Sequence, residues 1–211
     1  MALTTLDPKT ALIVIDLQKG IVTMPTVHPT SEVVKQASQL ASAFRRYGLP
    51  VVLVNVDAGA PGRTDQAPRM REFPAGWTDL VPELNQQPED HTVTKRTWGA
   101  FTRTGLDEHL KKLGVTQVVI AGVATSVGVE STARQAHEHG FHVTLPVDAM
   151  TDMNPDAHLN SVTRIFPRIG ETGTTQEIIA LLDSTRANEN GLKGTAGLAA
   201  ASIRPSITPL R

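Results

Sequence analysis

The chain of 211 residues has no cysteine. Disulfides, thiolate metal sites and thiol catalysis are therefore excluded. Charge is nearly balanced, with 20 Lys and Arg against 21 Asp and Glu. There is thus no broad positive field to gather nucleic acid or to dock on an anionic membrane. No apolar run approaches the ~20 residues of a membrane-spanning helix. The opening residues, Met1 to Asp7, lack a basic stretch followed by an apolar one. That reads as no secretory signal and makes the cytoplasm the expected location. Gly20 and Gly48 sit in no dinucleotide-binding fingerprint, so no nucleotide cofactor is expected. No internal repeat is visible.

What is present suffices for one sizeable core, since 40% of the residues are hydrophobic. Thr10 to Asp16, Pro50 to Val56, His91 to Lys95, Val118 to Ile120 and Phe141 to Val147 read as strands, most of them short apolar runs. Ile169-Gly170 reads as a short edge strand. The spacing between them predicts helices. One carries Val33, Val34, Ala37, Leu40, Ala41 and Phe44, capped by Thr30 or Ser31 and stopped at Gly48. A second runs through Leu106, Leu110 and Leu113, with Thr104 as cap. A third begins near Ser126, a fourth spans Pro155 to Phe166, and a last one, capped by Thr174 or Thr175, covers Glu177 to Leu182. Repeated β-α-β units imply right-handed crossovers, parallel pairing and a three-layer α/β fold. Residues 1–186 form that domain. Residues 187–211 are rich in Gly, Ala, Ser, Thr and Pro and form a tail, either mobile or laid on a partner subunit.

In such folds ligands bind beyond the C-terminal ends of the strands. Asp16, Lys95, the turn 123–128 and Asp148 each stand at such an end, distant in sequence but convergent in space. Alone, Asp16 reads more commonly as a turn residue or cap, and Lys95 reads equally as a surface cation. Together they make an acid–ammonium pair beside a strand-to-helix turn whose unpaired N–H groups can hold an oxyanion. Burial pushes the carboxyl pKa up and the ammonium pushes it down, so general-acid and general-base roles are both open. Trp98 and Phe101 follow Lys95 and read as pocket walls or core aromatics. The long Gly- and Pro-rich connection 58–78 holds Arg63, Arg69 and Arg71, any of which has the geometry to clamp a substrate carboxylate.

Two other chemistries are available on paper. Ala124-Thr-Ser126-Val-Gly128 resembles a nucleophile elbow, and Asp148 and His158 follow in the order a serine hydrolase needs. Metal binding has His137, His139 and His142, but their spacing across a helix end does not put them on one face. The segment Asn55-Val-Asp57 also lacks the Asp-x-His pair that a metal site there requires, so no metal is expected.

Three stretches carry a family resemblance. Leu12-Ile-Val-Ile-Asp16-Leu-Gln18, Lys95-Arg-Thr-Trp-Gly-Ala-Phe101-Thr-Arg-Thr-Gly-Leu106 and Ala121-Gly-Val-Ala-Thr-Ser-Val-Gly128-Val-Glu-Ser-Thr-Ala-Arg134 resemble the isochorismatase-like hydrolases, also called the cysteine hydrolase superfamily. The likeness runs from about residue 10 to 183. It implies a Rossmann-like three-layer α/β/α fold with a six-stranded parallel sheet, and Asp16 and Lys95 as two members of a triad. The nucleophilic Cys of the family would fall at Gly128. The backbone at Ala124, Thr125 and Gly128 would form the oxyanion-binding turn, with a cis peptide within 123–125. Gln18, Trp98, Phe101 and Arg63 are the expected substrate-pocket residues. The resemblance implies a small-molecule hydrolase of a vinyl ether or a C–N bond, without cofactor, assembled as a homodimer or higher oligomer, in which water replaces the covalent nucleophile. Its members that also carry Gly hydrolyse a vinyl ether, yet have Tyr where this chain has Ala124. The different-class alternative is a ligand-binding relative without catalysis.

Overall fold

A computed structural model describes residues 3–65 and 73–186. Strand β1 (Thr10–Ile15) is buried along its whole length, as a central strand covered on both faces must be. Helix α1 (Lys19–Val22) is a single turn, and α2 (Thr30–Arg46) turns its apolar stripe to the sheet. Then follow β2 (Val51–Val56), β3 (His91–Lys95), α3 (Leu106–Lys112) and β4 (Gln117–Val123). A π-type turn at Thr125–Val129 leads into α4 (Glu130–Glu138). The chain closes with β5 (His142–Pro146), β6 (Met150–Thr151), α5 (Pro155–Asn160), β7 (Glu171–Gly173) and α6 (175–186).

The strands pair in the order β3-β2-β1-β4-β5-β7, all parallel, with β6 added beside β4. The sheet therefore has seven strands rather than the six expected. The extra one arises where β5 leaves β4 after pairing Val119 with Thr144. The last residues of β4 are then paired by β6, Gly122 with Met150 and Val123 with Thr151. Two apolar layers sandwich the sheet. Leu12 and Val14 pack with Leu40 and Phe44 of α2 and with Ile178 and Leu182 of α6. Ile13 and Ile15 pack with Leu110 of α3, Ala133 of α4 and Phe166. This alternation is the period of two that a pleated strand imposes. Each fully buried aliphatic side chain contributes about 1.5–3 kcal/mol.

Several ends differ from expectation. The predicted helix 155–166 is three pieces, namely α5, a π-type turn at Ser161–Ile165 and a 3-10 turn at Phe166–Arg168. The edge strand lies at 171–173 rather than 169–170. Thr30 does not cap α2, because its hydroxyl donates to the Val22 carbonyl instead. Thr174 does cap α6: its hydroxyl accepts from the Glu177 N–H while the Glu177 carboxylate accepts from the Thr174 N–H, a reciprocal capping box. The tail 187–211, Arg69 and Arg71 lie outside the described residues. Among the described residues no helix is long and apolar enough to cross a membrane.

Candidate active site

The strand order reverses direction of growth at β1 and β4, and the crevice beyond their C-terminal ends is where an α/β sheet takes its ligand. Asp16 is the first residue past β1. Its backbone is left-handed, with φ +53, a conformation that Asp tolerates better than most residues. Lys95 ends β3 and reaches past β2 to place Nζ 2.7 Å from Asp16 Oδ2. The same ammonium donates to the Thr97 carbonyl at 3.3 Å. Both side chains are buried, Asp16 at 4% and Lys95 at 2% exposure. The other carboxylate oxygen, Asp16 Oδ1, is buried and has no hydrogen-bond partner. Burial, opposed by the Lys95 charge and hydrogen bond, pushes the Asp16 carboxyl from 3.8 up to about 6.

Gly128 completes the convergence. A Cβ built on it would lie 3.3 Å from Asp16 Oδ2 and 2.9 Å from Ile15 Cγ2. Any side chain at this position would therefore start in the site itself. The Val123–Ala124 peptide bond is cis. After it, the Ala124 carbonyl accepts from both the Val127 and Val129 N–H groups at 3.1 Å. Ser126 is turned the other way, its N–H at 2.7 Å and its hydroxyl at 2.8 Å from Asp152 Oδ2. Thr125 Oγ1 is 2.9 Å from His158 Nδ1. Neither the Ala124 nor the Gly128 amide donates to a group outside the turn among the described residues.

Of the other residues expected at the site, Gln18 and Phe101 serve the fold. The Gln18 side chain is wholly buried; it accepts from the Val56 N–H and donates to the carbonyls of Val56 and Trp77. Its amide pins the segment around Trp77 to the end of β2 and has little capacity left for a ligand. Phe101 packs in the core against Phe141, ring centroids 6.0 Å apart. Trp98 is 49% exposed, and Arg63 lies on the exposed part of the connection after β2. The serine triad is not assembled. Ser126 faces Asp152, His158 faces Thr125, and Asp148 Oδ1 is taken by the N–H and hydroxyl of Thr175 at the start of α6. Asp152 was not singled out from the sequence; an acid 26 residues after its partner leaves no local pattern to read.

Two surface cavities lie away from this centre. One of about 440 Å³ is bounded by Lys19, Asn55, Thr78 and Asp79, and one of about 530 Å³ lies between α2 and the segment at Val81 and Glu83. Neither contains Asp16 or Lys95. Among the described residues the buried pair alone combines an acid, a cation and an unpartnered carboxylate oxygen.

The switch point of this parallel α/β sheet thus holds a buried acid–ammonium pair and a strand-to-helix turn. The Isochorismatase domain family matches residues 10–177, and the chain belongs to this family of hydrolases. It is 42% identical over 179 residues to the uncharacterized isochorismatase family protein YwoC of Bacillus subtilis (strain 168), covering 81% of this chain and 93% of that protein. It is 38% identical over 180 residues to the uncharacterized isochorismatase family protein YecD of Escherichia coli O157:H7, covering 82% and 96%. An isochorismatase family protein from Burkholderia thailandensis has the same fold, with a TM-score of 0.82 at 40% identity over 85% of this chain and 98% of that one.

Proposed function

We propose that the chain hydrolyses a small molecule without a covalent enzyme intermediate, and that the bond it breaks is a vinyl ether. The observation that carries this reading is the buried Asp16, with Oδ1 unpartnered and its proton retained to about pH 6, beside a residue 128 that offers only backbone. Gly128 stands where the family places a nucleophilic thiol. A thioester route is closed, and water is the nucleophile that remains. In the vinyl-ether reaction the Asp16 carboxyl gives its proton to the enol-ether carbon. Water adds to the oxygen-stabilised cation so formed, and the proton lost from that water returns to the Asp16 carboxylate. The resulting hemiketal separates into a carbonyl compound and an alcohol. Lys95 holds Asp16 in place and balances its charge once the proton has left. As the hemiketal separates, negative charge develops on the departing alkoxide oxygen, and the Ala124 and Gly128 amides are the donors for it until it takes up a proton.

The test is turnover of isochorismate, simple vinyl ethers and simple amides, with Asp16→Asn as the control. Asn keeps the shape but cannot pass a proton, so kcat should drop by roughly two to four orders of magnitude while binding changes less. Protein mass measured by spectrometry on quenched reactions should be unchanged. A covalent adduct would mean a nucleophile we have not assigned, and a wild type inert towards all three compound classes would leave a ligand-binding role.

A further inference from the structure

Asp152 is a buried carboxylate that the chemistry of Asp16 does not use. It is 3% exposed and pairs with no Lys or Arg among the described residues. A charge in that position needs donors arranged around it, and the donors are specific. Oδ2 takes both the N–H and the hydroxyl of Ser126, while Oδ1 takes the Asn154 N–H at 3.1 Å. Strand β6 is the reason Asp152 arrives there, since Thr151 pairs with Val123 at the very end of β4. His158, further along the same segment, holds Thr125. Two consecutive residues of the turn are thus gripped from outside by one stretch, 152–158.

A turn that opens a helix has several N–H groups with no helical partner. Val127 and Val129 give theirs to Ala124, and Ser126 gives its own to Asp152. Ala124, Thr125 and Gly128 are left with no acceptor outside the turn among the described residues. Without Asp152, the Ser126 N–H would need a new acceptor, and rotating the turn to find one would shift Gly128, whose Cβ position lies 3.3 Å from Asp16 Oδ2, away from it.

We infer that Asp152 is a positioning residue: by taking the Ser126 N–H and hydroxyl, it fixes the turn 124–128 so that the Ala124 and Gly128 amides are presented beside Asp16. The inference rests on the reading of the site as a hydrolase centre. It adds a residue that touches neither substrate nor Asp16.

The test compares Asp152→Ala with Asp152→Asn. Asn keeps an acceptor oxygen of the same reach and removes the charge. Amide hydrogen exchange over 123–130 is measured against α2 as an internal reference, and kcat and KM are measured on whichever of isochorismate or a simple vinyl ether the wild type turns over. In Asp152→Ala, exchange in the turn should rise by about tenfold or more with α2 unchanged. Its kcat should fall roughly 10–100-fold, with KM changed by less than about threefold. Asp152→Asn should bring both readouts most of the way back. Unchanged turn exchange in Asp152→Ala overturns the inference. So does exchange that rises equally everywhere, or an Asn variant as damaged as Ala, since the residue would then act through global stability or charge. If the wild type turns over neither compound, the vinyl-ether reading fails on its own, and the exchange data still decide whether Asp152 sets the turn.

Discussion

In the proposed reaction Asp16 is the residue on which the chemistry turns, and its environment can be read as a titration. The carboxyl is raised from 3.8 to about 6 by burial, against the opposing pull of Lys95. Between those two values the folded protein holds a proton that the unfolded chain has released. Asp16 therefore makes stability decrease as pH climbs from about 4 to about 6. The same protonation should be visible in turnover. With Asp16 as the acid, kcat/KM measured from pH 4.5 to 8.5 should fall through a midpoint near 6. Lys95→Ala removes the charge that holds the carboxyl down, so its residual activity should show that midpoint displaced upwards. A profile that instead rises through pH 6 identifies a carboxylate base and moves the reaction to C–N bonds. At this scale the sequence was legible where position alone carried meaning. Asp16 closes an apolar run, Lys95 ends the next strand but one, and Gly128 opens a helix, so topology had to bring them together. It was illegible where a side chain had two equally good destinations. Gln18 satisfies the backbone at 56 and 77, and Phe101 fills the core; neither outcome leaves a mark in the local sequence.

Among the elements, the contact between β1 and β4 does most to build the site. Their pairing puts Gly122 opposite Ile15, one residue before Asp16. Gly122 has φ +121, and a Cβ there would run into the Ile15 backbone. Only a residue without a side chain lets β4 come close enough for the turn to sit against Asp16. Gly122→Ala combines an unfavourable φ with a clash against main chain, which has no rotamer to yield. It should cost about 3 kcal/mol or more and lower the urea midpoint accordingly. A loss below about 1 kcal/mol would show that the two strands can separate at little cost, and that the close approach is incidental. The strands were the easiest elements to foresee, since buried parallel strands are continuous apolar runs. The helices were foreseen in place but not in form. The break of 155–166 into three pieces and the π-type turn ahead of α4 depend on contacts with Asp152, Glu130 and Thr125, which lie far off in sequence and leave the helical periodicity intact.

For the whole molecule, the repeated β-α-β alternation was enough to give the layers and the parallel sheet. It did not reveal β6, whose two residues have no pattern of their own and pair only because β5 has turned away. Assembly is the remaining property at this scale. Met24, Val27, Met153 and Leu159 are large apolar side chains left exposed. The fold draws their segments together, because the Val27 N–H donates to the Asp152 carbonyl and the His28 and His158 rings meet edge to face at 4.9 Å. Apolar side chains collected in this way mark a contact surface more often than scattered ones do. We expect a homodimer or larger assembly formed through this patch, as a self-complementary two-fold contact would allow. Light scattering at micromolar concentration should give at least twice the chain mass. Replacing Met153 and Leu159 together by Glu would place four charges in a two-fold interface and should return the monomer with the fold intact by circular dichroism. A monomeric wild type would refute the assembly. A double variant that stays dimeric would keep the assembly and move the interface elsewhere, with the surface of α2 the next to be mutated.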